Sequence, residues 1–188
     1  MGVATLWNPS ELSEMGLVPC CHTSTWNLDG GRLNCVLDQR SGDMPYGVPF
    51  NTTQYAELMI MLAKAISTPE KEIKPGLLTH VIADAHIYEN QMSGVELQLF
   101  YYDMMRAAPD IINIGNFSAP AKMIAEKYPN LKDIRLMEVL QRAIKVMDSV
   151  PHFEIYADAS DFFSYDAESC KVEDYEHMGK IDFGDIAV

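Results

Sequence analysis

Cys20, Arg40, Ser41 and Asn51 stand close together in one short stretch, and their types could act together. A cysteine attacks as its thiolate, and a neighbouring cation favours that form. Arg40 is the candidate cation. A guanidinium beside a hydroxyl also makes a good phosphate clamp, which Ser41 would complete. Asn51 can present a donor and an acceptor side by side, a match for a pyrimidine edge that offers one N–H and one carbonyl, as uracil does. A carboxylate at that position would suit cytosine better. Further along, His86 and Tyr88 could hold a sugar hydroxyl. Each residue also has a plainer reading: Cys20 as a small core side chain, Arg40 and Ser41 as surface, Asn51 as a helix N-cap, His86 and Tyr88 as satisfied core polar groups.

The elements that would position these groups follow from pattern. Gly2 to Trp7 reads as a strand, and Asn8, Pro9 and Glu11 as the start of a short helix with Leu12 and Met15 facing inward. Thr23 to Leu28 and Arg32 to Leu37, joined through Asp29, Gly30 and Gly31, predict a β-hairpin. Such a hairpin carries Cys20 and the run Gln39, Arg40, Ser41 to the same end, so thiol and guanidinium meet through strand pairing alone. Gly42 to Asn51 is punctuated by Gly42, Pro45, Gly47 and Pro49 and is expected to be a loop. Asn51 or Thr52 then caps a helix running to Ser67, apolar on nearly every face, as in a centrally buried helix.

Leu77 to Ala83 predicts a buried strand, after which Asp84, His86 and Tyr88 alternate as strand gives way to helix. Tyr88 to Arg106 continues as a helix with Met92, Val95, Leu99 and Tyr102 on one stripe. After a loop holding Pro109, Gly115 and Pro120, helical patterns recur at Ala121 to Lys127 and Leu131 to Met147. Phe153 to Ala157 and Cys170 to Tyr175 read as closing strands.

Composition narrows the classes. The chain has 188 residues, a length that suits one domain with a proper core. Its 14 Lys and Arg stand against 27 Asp and Glu, a net charge of -13, which argues against a sequence-blind grip on nucleic acid or anionic membrane. An anionic ligand must therefore be held locally. There is no run of apolar residues long enough for a membrane span, and the opening residues do not read as a signal peptide. Four cysteines without paired spacing fit free thiols in a reducing compartment, so a cytoplasmic protein is expected. Cys20, Cys21, His22 and Cys35 match no ordinary zinc spacing, so no metal is expected. A Cys-His hydrolase on Cys20 and His22 is disfavoured, since near neighbours on a strand need a third orienting group that is not evident.

The wording VPC, then DQRSGDMPYGVPFN, resembles the signature of thymidylate synthase, PCH followed by QRSxDxxxGxPFN at the same spacing. TLWNP, ADAHIYEN, PHFEIYADASDFFSY and the closing IAV resemble further parts of that family. Departures are local: Cys21 stands where the family has His, Thr25 where it has Gln, Ala83 where it has Gly and Gln91 where it has His. The resemblance implies an α/β (α+β) fold with a mixed, bent β-sheet, a buried central helix and flanking helices. It implies that Cys20 adds to carbon 6 of dUMP and that methylenetetrahydrofolate, as co-substrate, supplies the one-carbon unit and then a hydride, giving dTMP and dihydrofolate.

By the same resemblance Arg40 and Ser41 hold the phosphate, Gln39 braces the surroundings of the nucleophile, and Asn51 reads uracil. Asp43 contacts the folate and offers the base a backbone N–H, and His86 and Tyr88 hold the ribose hydroxyl. Gly47 and Val188 belong to the folate site. A homodimer through a sheet face is implied. Residues 1–188 correspond to the catalytic domain short of the family's amino-terminal part, with residues 101–150 as a helical insertion. The alternatives are dUMP hydroxymethylation with the same nucleophile, or a non-catalytic, nucleotide-binding or dimer-forming remnant.

Overall fold

The computed structural model describes residues 1–114, 118–131, 134–156, 162–166 and 168–184. They fall into two units, Met1–Ile87 with Ile155–Cys170, and Tyr88–Glu154 with Lys171–Val188.

The first unit is built on a four-stranded sheet. β1 (Gly2–Thr5), β2 (Cys21–Asp29) and β3 (Arg32–Gln39) are successively antiparallel, and β5 (Lys74–Ile82) lies parallel to β3 at the far edge, so the sheet is mixed. A parallel neighbour needs a crossover. Helix α1 (Gly47–Ala65) supplies it. The β2–β3 turn consists of Gly30 and Gly31 with φ of 54° and 76°, the left-handed pair that matches the twist of a tight hairpin. Register shifts between Cys21 and Thr23 and between Leu33 and Cys35 interrupt the ladders, the kind of irregularity that bends a strand.

One sheet face is the core. Leu33, Cys35 and Leu37 alternate inward on β3 and pack with Cys21, Ile73 and the stripe Tyr55, Met59, Ala63 of α1. Full burial of α1 is confined to that stripe, narrower than its apolar composition suggests. The opposite sheet face is open: Val3 is 67% exposed and Val81 47%, with Val36 and Leu77 also uncovered. Thus Leu77 to Ala83 is not a buried strand. β5 is an edge strand whose alternate residues are half-buried and whose others are exposed.

The structure corrects three further expectations. The helix expected after Asn8 is a single 3-10 turn, Leu12–Glu14, with no buried residue. Gly42 to Asn51 is not a loop throughout: Gly42–Asp43 form β4, paired in parallel with β6 (Ala85–His86), and α1 already begins at Gly47. Pro49 is accommodated because the first four N–H groups of a helix have no partner within it. Asn51 therefore lies inside α1 and does not cap it.

The second unit opens with a 3-10 turn, Glu89–Gln91, leading into α2 (Met92–Ile114), with α3 (Ser118–Glu126), α4 (Leu136–Asp148), β7 (His152–Ile155) and β8 (Cys170–Glu173) following. α2 runs past Arg106 and through Pro109. An interior proline costs about 3 kcal/mol, and burial of Ala108 and Ile111 on either side offsets it. The inward stripe of α2 is Phe100, Met104, Ala108 and Ile111, which pack with Ala121, Tyr128, Val139, Leu140, Ala143 and Met178. Met92, Leu99 and Tyr102 are exposed instead. Residues 101–150 thus hold most of α2 together with α3 and α4. No described helix is long and apolar enough to cross a membrane.

Candidate active site

The open end of the β2–β3 hairpin brings the start of β2 beside the end of β3. The Arg40 backbone N–H donates to the Cys20 carbonyl at 2.9 Å, and the side chain follows the same path. Its Nε donates to the Pro19 carbonyl at 3.1 Å and its Nη2 to the Val18 carbonyl at 2.9 Å, which leaves Nη2 3.8 Å from Cys20 Sγ. The guanidinium is thereby anchored along the segment that delivers the thiol. Cys20 is half-buried, whereas its neighbour Cys21 points into the core. Burial, and then the adjacent Cys20, push the Cys21 thiol above its ordinary value, and burial raises Cys35 to about 11. Neither buried thiol suits a nucleophile that must ionise.

Gln39 is the hub beneath this surface. It is 3% exposed and makes four hydrogen bonds. Its Nε2 donates to the Ser41 carbonyl at 2.8 Å and to Asn51 Oδ1 at 3.2 Å. Its Oε1 accepts from Cys21 Sγ at 3.3 Å and lies 2.7 Å from His80 Nε2. Helix α1 brings Asn51 to this network one turn after its start, where Gly47 also sits. A Cβ added to Gly47 would be 3.6 Å from Asp43 Cβ and 3.8 Å from Asn51 Oδ1, so Asp43, Gly47 and Asn51 converge.

The short β4–β6 pair fixes the other wall. It sets Asp43 against His86, and backbone bonds from Gly42 to the Asp84 carbonyl and from Met44 to the His86 carbonyl hold the two segments together. Asp84 Oδ2 accepts from Ser41 Oγ at 3.5 Å and lies 3.2 Å from His86 Nδ1. Close packing is required here: a Cβ on Gly42 would stand 2.8 Å from Val48 Cγ2 and 3.0 Å from Ile82 Cγ2.

The first unit thus brings Cys20, Gln39, Arg40, Ser41, Asp43, Gly47, Asn51 and His86 onto adjoining segments. Arg40 and Ser41 are neighbours with different partners, the guanidinium turned to the Cys20 segment and the hydroxyl to Asp84. Arg40 also borders a cavity of about 450 Å³ with Thr5, Trp7, His22 and Thr23. His22 is engaged there by Thr23 Oγ1 at 2.9 Å and edge-on by Trp7. Tyr88 belongs to the second unit, where its backbone N–H donates to Gln91 Oε1 at 3.0 Å. Val188 lies outside the described residues. Among the described residues no group of three or more His, Cys, Asp or Glu could hold a metal ion.

Sequence reasoning missed His80 and Thr52. The one signal for His80 is its place between Leu78 and Ile82 on the inward-facing positions of β5. Burial pushes His80 below its ordinary value, which disfavours the charged imidazolium.

Comparison with known proteins places these features. A thymidylate synthase from Clostridium beijerinckii is 42% identical over 137 residues, covering 70% of this chain and 50% of that protein. A thymidylate synthase from Mycoplasma pneumoniae is 42% identical over 97 residues, covering 52% of this chain and 32% of that protein. The chain thus spans half or less of the length of these relatives. Among solved structures, a thermostable thymidylate synthase A from Bacillus subtilis superposes with a TM-score of 0.62 at 22% identity, over 99% of this chain and 49% of that one, a likeness of fold. The stretch that runs from β1 through the hairpin, α1 and β4 to β6 nearly to the end of α2 is also the stretch that the thymidylate synthase family model matches, residues 2–112, and by that match the chain belongs to the thymidylate synthase family.

Proposed function

We propose that this chain carries the nucleophile and the base reader of an enzyme that methylates carbon 5 of dUMP, with methylenetetrahydrofolate as the one-carbon and hydride donor. The observation that carries the reading is the Arg40 guanidinium fixed 3.8 Å from the Cys20 sulfur at the end of a hairpin whose last residue, Gln39, also holds Asn51. A cation beside the thiol and a carboxamide held by the residue next to that cation suit addition to a uracil ring.

In the proposed reaction the Cys20 thiolate forms a bond to carbon 6, and the displaced electron pair makes carbon 5 nucleophilic. Carbon 5 takes the methylene group from the folate. Loss of the carbon 5 proton expels the folate nitrogen from the transferred carbon, a hydride from the folate reduces the resulting methylene to a methyl group, and release of Cys20 gives dTMP and dihydrofolate. Arg40 and Ser41 hold the phosphate, Gln39 braces the nucleophile's surroundings, Asn51 reads the base, and His86 and Tyr88 hold the ribose hydroxyl. Asp43, Gly47 and Val188 serve the folate. The open sheet face, with Val3, Val36, Leu77 and Val81 uncovered, supports a homodimer formed through it. The free cysteines support a cytoplasmic location.

The test is release of tritium from carbon 5 of labelled dUMP, with dTMP and dihydrofolate as products, in the presence of methylenetetrahydrofolate. The reading expects release from the natural chain and none from Cys20→Ser. Release that survives the substitution would refute it.

A further inference from the structure

The hydrogen bonds around Gln39 have a direction that can be read atom by atom. A backbone carbonyl only accepts, so the Gln39 atom 2.8 Å from the Ser41 carbonyl is the amide nitrogen. The amide oxygen therefore faces the other way, toward His80 Nε2 at 2.7 Å, and that oxygen only accepts. His80 must carry its proton on Nε2. Thr52 Oγ1 donates its single proton to the Val48 carbonyl at 2.8 Å and lies 3.0 Å from His80 Nδ1.

The chain then runs in one sense from His80 Nε2–H to Gln39 Oε1, and from Gln39 Nε2–H to Asn51 Oδ1. At its end the Asn51 carboxamide cannot turn over without setting its own N–H groups against the Gln39 N–H. It is left presenting an oxygen lone pair and an N–H in a fixed order. That order suits a ring edge with N–H beside C=O, and it opposes one with a ring acceptor beside an amino group.

We propose that His80, donating from Nε2, is a positioning residue that fixes the orientation of the Asn51 carboxamide through Gln39, and so sets the preference for uracil over cytosine nucleotides. The proposal rests on the reading of Asn51 as the base reader. His80 acts only through Gln39.

Two polar variants separate its contacts. His80→Gln can still donate to Gln39 from the position of Nε2, whereas His80→Asn is too short to reach it while keeping a partner for Thr52. Two readouts are taken on each folded variant of the full chain: the nitrogen and proton resonances of the Asn51 side-chain amide, and the ratio of dUMP to dCMP affinity by calorimetry. In the natural chain the imidazole spectra should show the Nε2–H tautomer. His80→Asn should shift the Asn51 amide resonances and lower the dUMP to dCMP ratio about tenfold, the value of one buried hydrogen bond. His80→Gln should restore both. Unmoved Asn51 resonances in His80→Asn, or equal effects from the two variants, would overturn the proposal. If Asn51 responds as expected but the natural chain takes up neither nucleotide, the orienting chain stands and the uracil-reading role falls.

Discussion

Cys20 and Cys21 are neighbours with opposite chemistry. The strand sends one sulfur toward a guanidinium and the other into the core, where its thiol is pushed up by burial and then by Cys20. The meeting of Cys20 and Arg40 was legible in advance, because hairpin pairing alone brings the two chain segments together. The Gln39 hub was not. A histidine in an apolar strand carries no mark of its partner, and His80 reaches Gln39 only because β5 lies parallel to β3 with His80 opposite Leu37. The residue type of Asn51 points to base reading, but its oxygen's engagement by Gln39 is visible only in three dimensions. Replacing Asn51 by Asp removes the N–H that a uracil carbonyl needs and supplies a group that suits the cytosine amino group. Asn51→Asp is therefore expected to shift nucleotide preference toward dCMP, measured as the ratio of binding constants; an unchanged ratio would contradict the role.

At the scale of elements, the hairpin decides whether the site exists, and its turn depends on two glycines with positive φ. A Cβ at Gly31 meets nothing closer than the Glu72 carbonyl at 3.9 Å, so its φ of 76° is the whole obstacle to a side chain there. Gly31→Ala should cost about 1–2 kcal/mol in denaturant unfolding, and a loss under about 0.3 kcal/mol would show that the turn relaxes freely. Strands and helices were readable where pattern and punctuation agreed, as at Gly30 and Gly31. Proline misled twice. Pro49 lies in the first turn of α1, where a missing N–H loses nothing, and Pro109 lies where core contacts offset its cost. The stripe of α2 was misplaced for another reason. Apolar residues occur on several of its faces, and only packing against α3 and α4 selects Phe100, Met104, Ala108 and Ile111 as the inward one.

At the scale of the molecule, the two units differ in what holds them. The first is a sheet with one covered face; the second is a helical cluster with an ionic tie, in which Asp103 Oδ2 accepts from Lys127 Nζ and from Tyr128 Oη, both at 2.6 Å. The Lys127 bond and then the Tyr128 bond hold the Asp103 carboxyl below its ordinary range. A depressed carboxylate stabilises the fold above its unfolded pKa, about 3.9, and that contribution disappears as pH falls through the lower folded value. Acid titration followed by hydrogen exchange should thus show α2 and α3 losing protection below about pH 4, with Asp103→Asn losing this part of the pH dependence. An unchanged acid limb in that variant would contradict the role of the tie.

If Cys20 is the nucleophile of a uracil-methylating enzyme, it forms a covalent complex with nucleotide and folate. The most direct measurement is an intact-mass spectrum of the folded chain after incubation with 5-fluoro-dUMP and methylenetetrahydrofolate, beside a Cys20→Ser control. The expected result is a stable mass increase equal to both ligands, mapped to the Cys20 peptide and absent from the control. A folded chain that gains no mass, or an adduct that survives in Cys20→Ser, would contradict it.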